Sequence, residues 1–124
     1  MQKNTFRTSN IDNLVSYNYN IIMENEIRFE WHDKKYYDNE NKHNISFDEA
    51  KSVFYDEYAI VIADPDHSSL DEERFLILGY SSIANLLVVS HCYRGNDDVI
   101  RIISARKATN NEARQYRSRK GDML

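Results

Sequence analysis

Arg74, Arg101 and Arg106 carry the side chain best suited to phosphate, a permanently charged planar fork that donates two parallel hydrogen bonds. Arg101 and Arg106 flank the passage from the last apolar strand pattern into a capped helix, and free amides at a helix start attract anions. Together they are expected to form a phosphate cradle. The alternative for Arg101 is a surface ion pair with an acidic neighbour such as Asp98. For proton transfer, His43 and His91 are the candidates, because histidine titrates closest to neutral pH. His91 lies in an apolar run, so the competing role is a core histidine; His43 ends a helical stretch, where it would instead bond the last carbonyls. No nucleophile elbow or triad motif is present. His32, His43, His67 and His91 lack metal-ligand spacing and no cysteine stands near enough to help, so no metal is expected. Neither GxGxxG nor GxxxxGK[ST] occurs, so no cofactor is expected either.

The elements that must position these residues follow from patterning. The 124 residues suit one domain, and 41% hydrophobic with 29% charged residues describes a soluble globular chain. Residues 1–26 are rich in Asn, Ser and Tyr with weak periodicity and read as a loosely attached arm, with Met23 an alternative start; residues 27–120 form the domain and 121–124 a tail. Ile27, Phe29 and Trp31 alternate with polar residues as a half-buried strand, and Trp31 is expected to anchor the core rather than to stack on a base. A polar helix follows over about 32–42, with Trp31, Lys35, Asn39, Lys42 and His43 along one stripe and Asn44 closing it in the left-handed conformation. Ser46 with Glu49 is a capping box opening a helix over 46–54. Strands are predicted over 58–63, 74–80, 86–93 and 99–105. An acidic, proline-containing loop spans 64–73, and the other links are short, which implies antiparallel neighbours and a meander. Thr109 with Glu112 is a second capping box, opening a last helix to about Lys120.

Charge is divided unevenly along this order. Residues 101–124 carry seven Lys or Arg, including Lys107 and Arg117, against two acidic residues, a balance of +5; the first hundred residues stand at −9. Such a segment holds a phosphate backbone locally, because screening over about 10 Å makes nearby charges count most. The plainer reading is a solvated, cation-rich helix. The lone Cys92 excludes an intramolecular disulfide and fits a reducing cytoplasm, and neither an export signal nor a membrane-spanning stretch of about 20 apolar residues is read.

The stretches FEW at 29–31, Lys35, Asn39, KH at 42–43, SFDEA at 46–50, VFYD at 53–56, ERFLILG at 73–79 and IRIISARKA at 100–108, with Glu112 and Tyr116, resemble the BrnT family of type II toxins in order and spacing. The resemblance departs at His32, where the family usually has Asp, and at Asn44, where it usually has Gly. It implies an α+β, RelE-like fold: an antiparallel meander packed against N-terminal helices and one C-terminal helix. It further implies a ribonuclease that blocks translation and pairs with a BrnA-like ribbon-helix-helix antitoxin. Families of this kind usually form a 2:2 assembly that binds operator DNA through the antitoxin. Metal-free RNA cleavage uses the RNA's own 2′-oxygen as nucleophile, so the protein needs a base, an acid and cations. The resemblance adds Lys35, Glu112 and Tyr116 to the catalytic and RNA-contacting candidates, beside Arg74, Lys107 and Arg117; Glu112 has a competing role as a helix cap and Tyr116 as a core residue. Two other readings stay open: a non-catalytic partner or corepressor in an antitoxin–DNA complex, and direct DNA binding by the last helix.

Overall fold

The computed structural model describes residues 27–123, so the arm assigned to residues 1–26 lies outside the described residues. The chain opens with a short strand β1 (Arg28–Glu30), then helix α1 (Asp33–His43) and helix α2 (Phe47–Ser52), which continues as a 3-10 turn over Val53–Tyr55. Strands β2 (Ile60–Ala63), β3 (Arg74–Tyr80), β4 (Leu86–Arg94) and β5 (Val99–Lys107) follow, and α3 (Asn110–Met123) ends the described chain. Residues 121–123, read as tail, therefore belong to α3.

Local signals are met where they act within a few residues. Asn44 adopts φ 58° and its N–H donates to Glu40 O at 2.9 Å, closing α1. Thr109 and Glu112 form a full capping box: Glu112 N donates to Thr109 Oγ1 at 3.2 Å and Thr109 N to Glu112 Oε1 at 2.8 Å. The first box is only half made. Ser46 Oγ accepts from Glu49 N, but the Glu49 carboxylate takes Ser81 Oγ and Asn85 Nδ2, both at 2.7 Å, and so ties α2 to the β3–β4 turn.

The sheet order is β1-β5-β4-β3-β2. The stretch β2 to β5 is the expected antiparallel meander, whereas β1 pairs in parallel with β5, making the sheet mixed. The parallel pairing follows from the α1–α2 crossover and the meander, which return the chain beside its first strand. One face of the sheet is covered by α2 and its neighbours: Ile45, Phe47, Ala50 and Val53 pack on Ile77, Leu87, Val89, Ile100, Ile102 and Ala105. Trp31 joins this core, stacked on Tyr36 and edge-on to Phe47. On the other face the buried Tyr116 of α3 packs with Leu78 and Val88.

Ile102 and Ala105 both face the first core although they are three residues apart, which strict alternation forbids. A register shift opposite Ser90 and His91 resolves it: Ser90 pairs with Ser104 and His91 with Ile102, leaving Ile103 as the extra residue of a bulge. Beyond Glu30 the edge of β5 has lost β1, and Asn39 takes over. Its buried side-chain amide donates to Ala105 O and accepts from Ala105 N, both at 2.9 Å, and donates to Ile45 O at 3.0 Å. One α1 side chain thus does for β5 what a further strand would do.

Candidate active site

The sheet face carrying Tyr116 displays the arginines singled out by sequence. Register places Glu30, Arg101, Cys92 and Arg74 in one row across β1, β5, β4 and β3, and Arg106 opposite Val88 four β4 positions on. Arg101 and Arg106 are five residues apart, so a regular strand would put them on opposite faces; the bulge at Ile103 brings them to the same one. They remain roughly 15 Å apart along the strand at about 3.3 Å per residue. The expected joint cradle is therefore not formed.

Each of these arginines is held by a carboxylate. Arg101 Nε donates to Glu30 Oε2 at 2.6 Å, while Asp98 pairs with Arg28 instead. Arg74 Nε donates to Glu72 Oε1 at 2.8 Å, with Arg94 also 3.7 Å from Glu72. Arg106 makes the strongest pairing, a bidentate fork onto Glu112 at 2.9 and 3.0 Å. The guanidinium of Arg106, aided by the Thr109 amide, holds the Glu112 carboxyl down at about 2. The same hydrogen bond raises Arg106. Because Glu112 and Thr109 occupy the start of α3, its amides are not the free anion site expected.

Lys35 and His43 lie on α1 one turn to either side of Asn39, the residue fastened to Ala105 beside Arg106. Lys35 is exposed and His43 half-buried. Lys107 at the end of β5 and Arg117 on α3 are exposed. Two other candidates lie in the interior. His91 is fully buried on the opposite face, ringed by Phe54, Phe75 and Tyr93, with Nδ1 against Val89 O at 3.1 Å and Nε2 without a partner. Burial lowers its pKa, so it is held neutral and away from the arginines. Tyr116 is 2% exposed, and its hydroxyl donates to Asp56 Oδ2 at 2.7 Å; burial and that carboxylate push its pKa well up. Both sit where the competing core role put them.

Sequence reasoning missed Glu30, Glu72 and Asn39 as site residues. Asn39 stood on the α1 stripe, and its polarity on a face turned toward the core was the available signal. The partners of Glu30 and Glu72 are set by sheet order, which no local spacing reports. Among the described residues, no three His, Cys, Asp or Glu side chains are grouped to hold a metal ion.

The family of the ribonuclease toxin BrnT, of type II toxin–antitoxin systems, matches residues 31–112 of the chain. The chain belongs to this family. The BrnT match starts at Trp31 and ends at Glu112, taking in α1, α2, strands β2 to β5 and the Arg106–Glu112 pair. Membership gives a ribonuclease toxin, with RNA as substrate and an antitoxin as partner. The crystal structure of the Brucella abortus ribonuclease toxin BrnT is similar over 68% of this chain and 100% of that one, with a TM-score of 0.52 and 20% identity, a likeness of fold. No curated protein matches the chain. No helix among the described residues is long and apolar enough to cross a membrane.

Proposed function

We propose that this BrnT-family chain is a metal-independent endoribonuclease of the cytoplasm that blocks translation by cutting RNA across its arginine-bearing sheet face. The observation that carries the reading is the placement of Arg74, Arg101 and Arg106 on one face, Arg106 locked in a two-point fork onto Glu112. The 2′-oxygen attacks phosphorus, the bond to the 5′-oxygen breaks, and that oxygen takes a proton; the products are a 2′,3′-cyclic phosphate and a 5′-hydroxyl end. Arg106 stabilises the extra negative charge on phosphorus, since its fork fits phosphate oxygens as it fits Glu112. His43 and Lys35 supply proton transfer. Glu112, ionised down to about pH 2, is no proton donor near neutrality; it holds Arg106 in place until the RNA phosphate displaces it from the fork. Arg74 and Arg101, with the exposed Lys107 and Arg117, hold neighbouring phosphates.

A BrnA-like ribbon-helix-helix antitoxin keeps the chain inactive in a 2:2 assembly that binds operator DNA through the antitoxin. The test is cleavage of a single-stranded RNA by the purified chain in chelator, with end-group analysis and Arg106→Ala beside it. Cyclic-phosphate ends from the wild type, lost in the variant, are expected; cleavage that needs added metal, or that Arg106→Ala retains, overturns the scheme. A second reading, a non-catalytic partner in an antitoxin–DNA complex, draws on the fact that each face arginine already carries a carboxylate. A purified chain that binds its antitoxin and cuts no RNA would select it.

A further inference from the structure

At the end of β4 remote from Val88 and Arg106, the loop before β3 and the β4–β5 turn frame a cleft of about 420 Å³. Its apolar wall is a ring pair, Phe75 and Tyr93, set edge to face with centroids 5.4 Å apart. His91 backs both rings at 6.1 and 5.4 Å. Around them stand Asp71, Glu73 and Asp97, all exposed and, among the described residues, without an ion pair or side-chain hydrogen bond. Glu72 and Arg94 also line the cleft; Arg94 stands 3.7 Å from Glu72, which Arg74 holds at 2.8 Å. The lining thus holds four carboxylates to the one Arg94, and three of the four stand unpaired beside two aromatic rings.

That chemistry selects a cation and narrows its kind. A single metal ion does not fit, because no three His, Cys, Asp or Glu side chains of the described residues are grouped at ligating distances. A larger, planar organic cation does fit: a guanidinium stacks on aromatic faces while its several N–H donors reach carboxylates spread over the rim. A cleft of this volume is of the size that takes a side chain or small ligand.

We propose that this cleft receives an arginine side chain from a basic segment of the antitoxin. The proposal rests on the protein partner that family membership implies, and charge supports it, since residues 1–100 carry a balance of −9. RNA, being anionic, is repelled from the same place. The cleft lies away from Arg106, so it anchors the partner without itself covering the fork.

The probe is an acetylated, amidated tetra-arginine peptide, titrated into the full chain by calorimetry at 0.15 M salt. Asp71→Asn/Glu73→Gln/Asp97→Asn is compared with Asp33→Asn/Asp48→Asn/Asp122→Asn, which removes the same charge elsewhere. The cleft triple variant is expected to bind at least about tenfold more weakly and the control within about twofold. Tyr93→Leu is expected to weaken tetra-arginine more than tetra-lysine, because the flat guanidinium gains most from the ring. Equal loss in the two triple variants, or none in the cleft variant, overturns the site. RNA cleavage by the cleft variant is measured alongside and should be unchanged; a wild type that binds the peptide but cuts no RNA would count against the ribonuclease scheme and leave the cleft standing.

Discussion

Two carboxylates organise the α3 side of the molecule in different ways. Asp56 accepts three hydrogen bonds from neutral donors: Tyr116 Oη at 2.7 Å, Tyr80 N at 2.8 Å and Tyr58 N at 3.0 Å. Glu112 accepts two from Arg106 and one from the Thr109 amide. Both are held ionised. At Asp56 burial works against this and the hydrogen bonds overcome it; at Glu112 the Arg106 hydrogen bonds are the largest influence. The lesson lies in what each could exchange for. In the proposed scheme a phosphate replaces Glu112 on the Arg106 fork, since each offers the guanidinium two negatively charged oxygens. No phosphate can replace Asp56, whose partners are fixed in the fold.

The comparison breaks if the two behave alike on mutation. Asp56→Ala removes the acceptor of two part-buried donors and of the exposed Tyr80 N–H, which water can satisfy. It should cost about 3 kcal/mol of stability, at roughly 1–3 kcal/mol for each of the two part-buried groups, read as a fall in the thermal or urea midpoint. Arg106→Ala should lower RNA cleavage by about 10²-fold while moving the melting midpoint little, because a half-exposed ion pair contributes under about 1 kcal/mol. Gly79→Ala should destabilise by about 2 kcal/mol. A Cβ there would meet Val53 Cγ1 at 3.0 Å and both Ala59 Cβ and Asp56 Oδ2 at 3.1 Å, pressing on the same hub. Tyr116→Phe keeps the ring and loses one hydrogen bond, so about 1 kcal/mol and unchanged cleavage are expected, in contrast to a catalytic tyrosine.

The smallest effect is in the acid limb. The Glu112 pKa is lowered from 4.5 to about 2, so its contribution is complete above the unfolded value and is lost as pH falls from about 4.5 through 2. Denaturant midpoints of the wild type and Glu112→Gln, measured between pH 6 and 2, should converge as the pH drops, by under about 1 kcal/mol for so accessible a pair. Curves that stay parallel would show that Glu112 contributes nothing to the fold through its charge.

Most elements were legible in the chain, and the site only in part. Thr109 and Glu112 are three residues apart, and their reciprocal cap forms as that spacing implies. Ser46 and Glu49 share the spacing, yet Glu49 leaves the box for Ser81 and Asn85, partners more than thirty residues away that only the packed β3–β4 turn presents. The arginines were legible as phosphate-binding types, but not their grouping: strict alternation sends Arg101 and Arg106 to opposite faces, and the bulge at Ile103 reverses that. His91 showed its burial through its apolar neighbours, and Phe54, Phe75 and Tyr93 ring it in the interior.

The sequence by itself determined the helices, the strands and their caps, because these depend on periodicities and contacts a few residues long. Tertiary structure alone decided that β1 lies parallel to β5, that Glu30 holds Arg101, that Asp56 holds Tyr116 and that Asn39 covers the edge of β5. Those partners are 60 to 71 residues apart along the chain. Contacts at such separations are set by the order of strands in the sheet and by one bulge, and neither leaves a local signal in residue spacing.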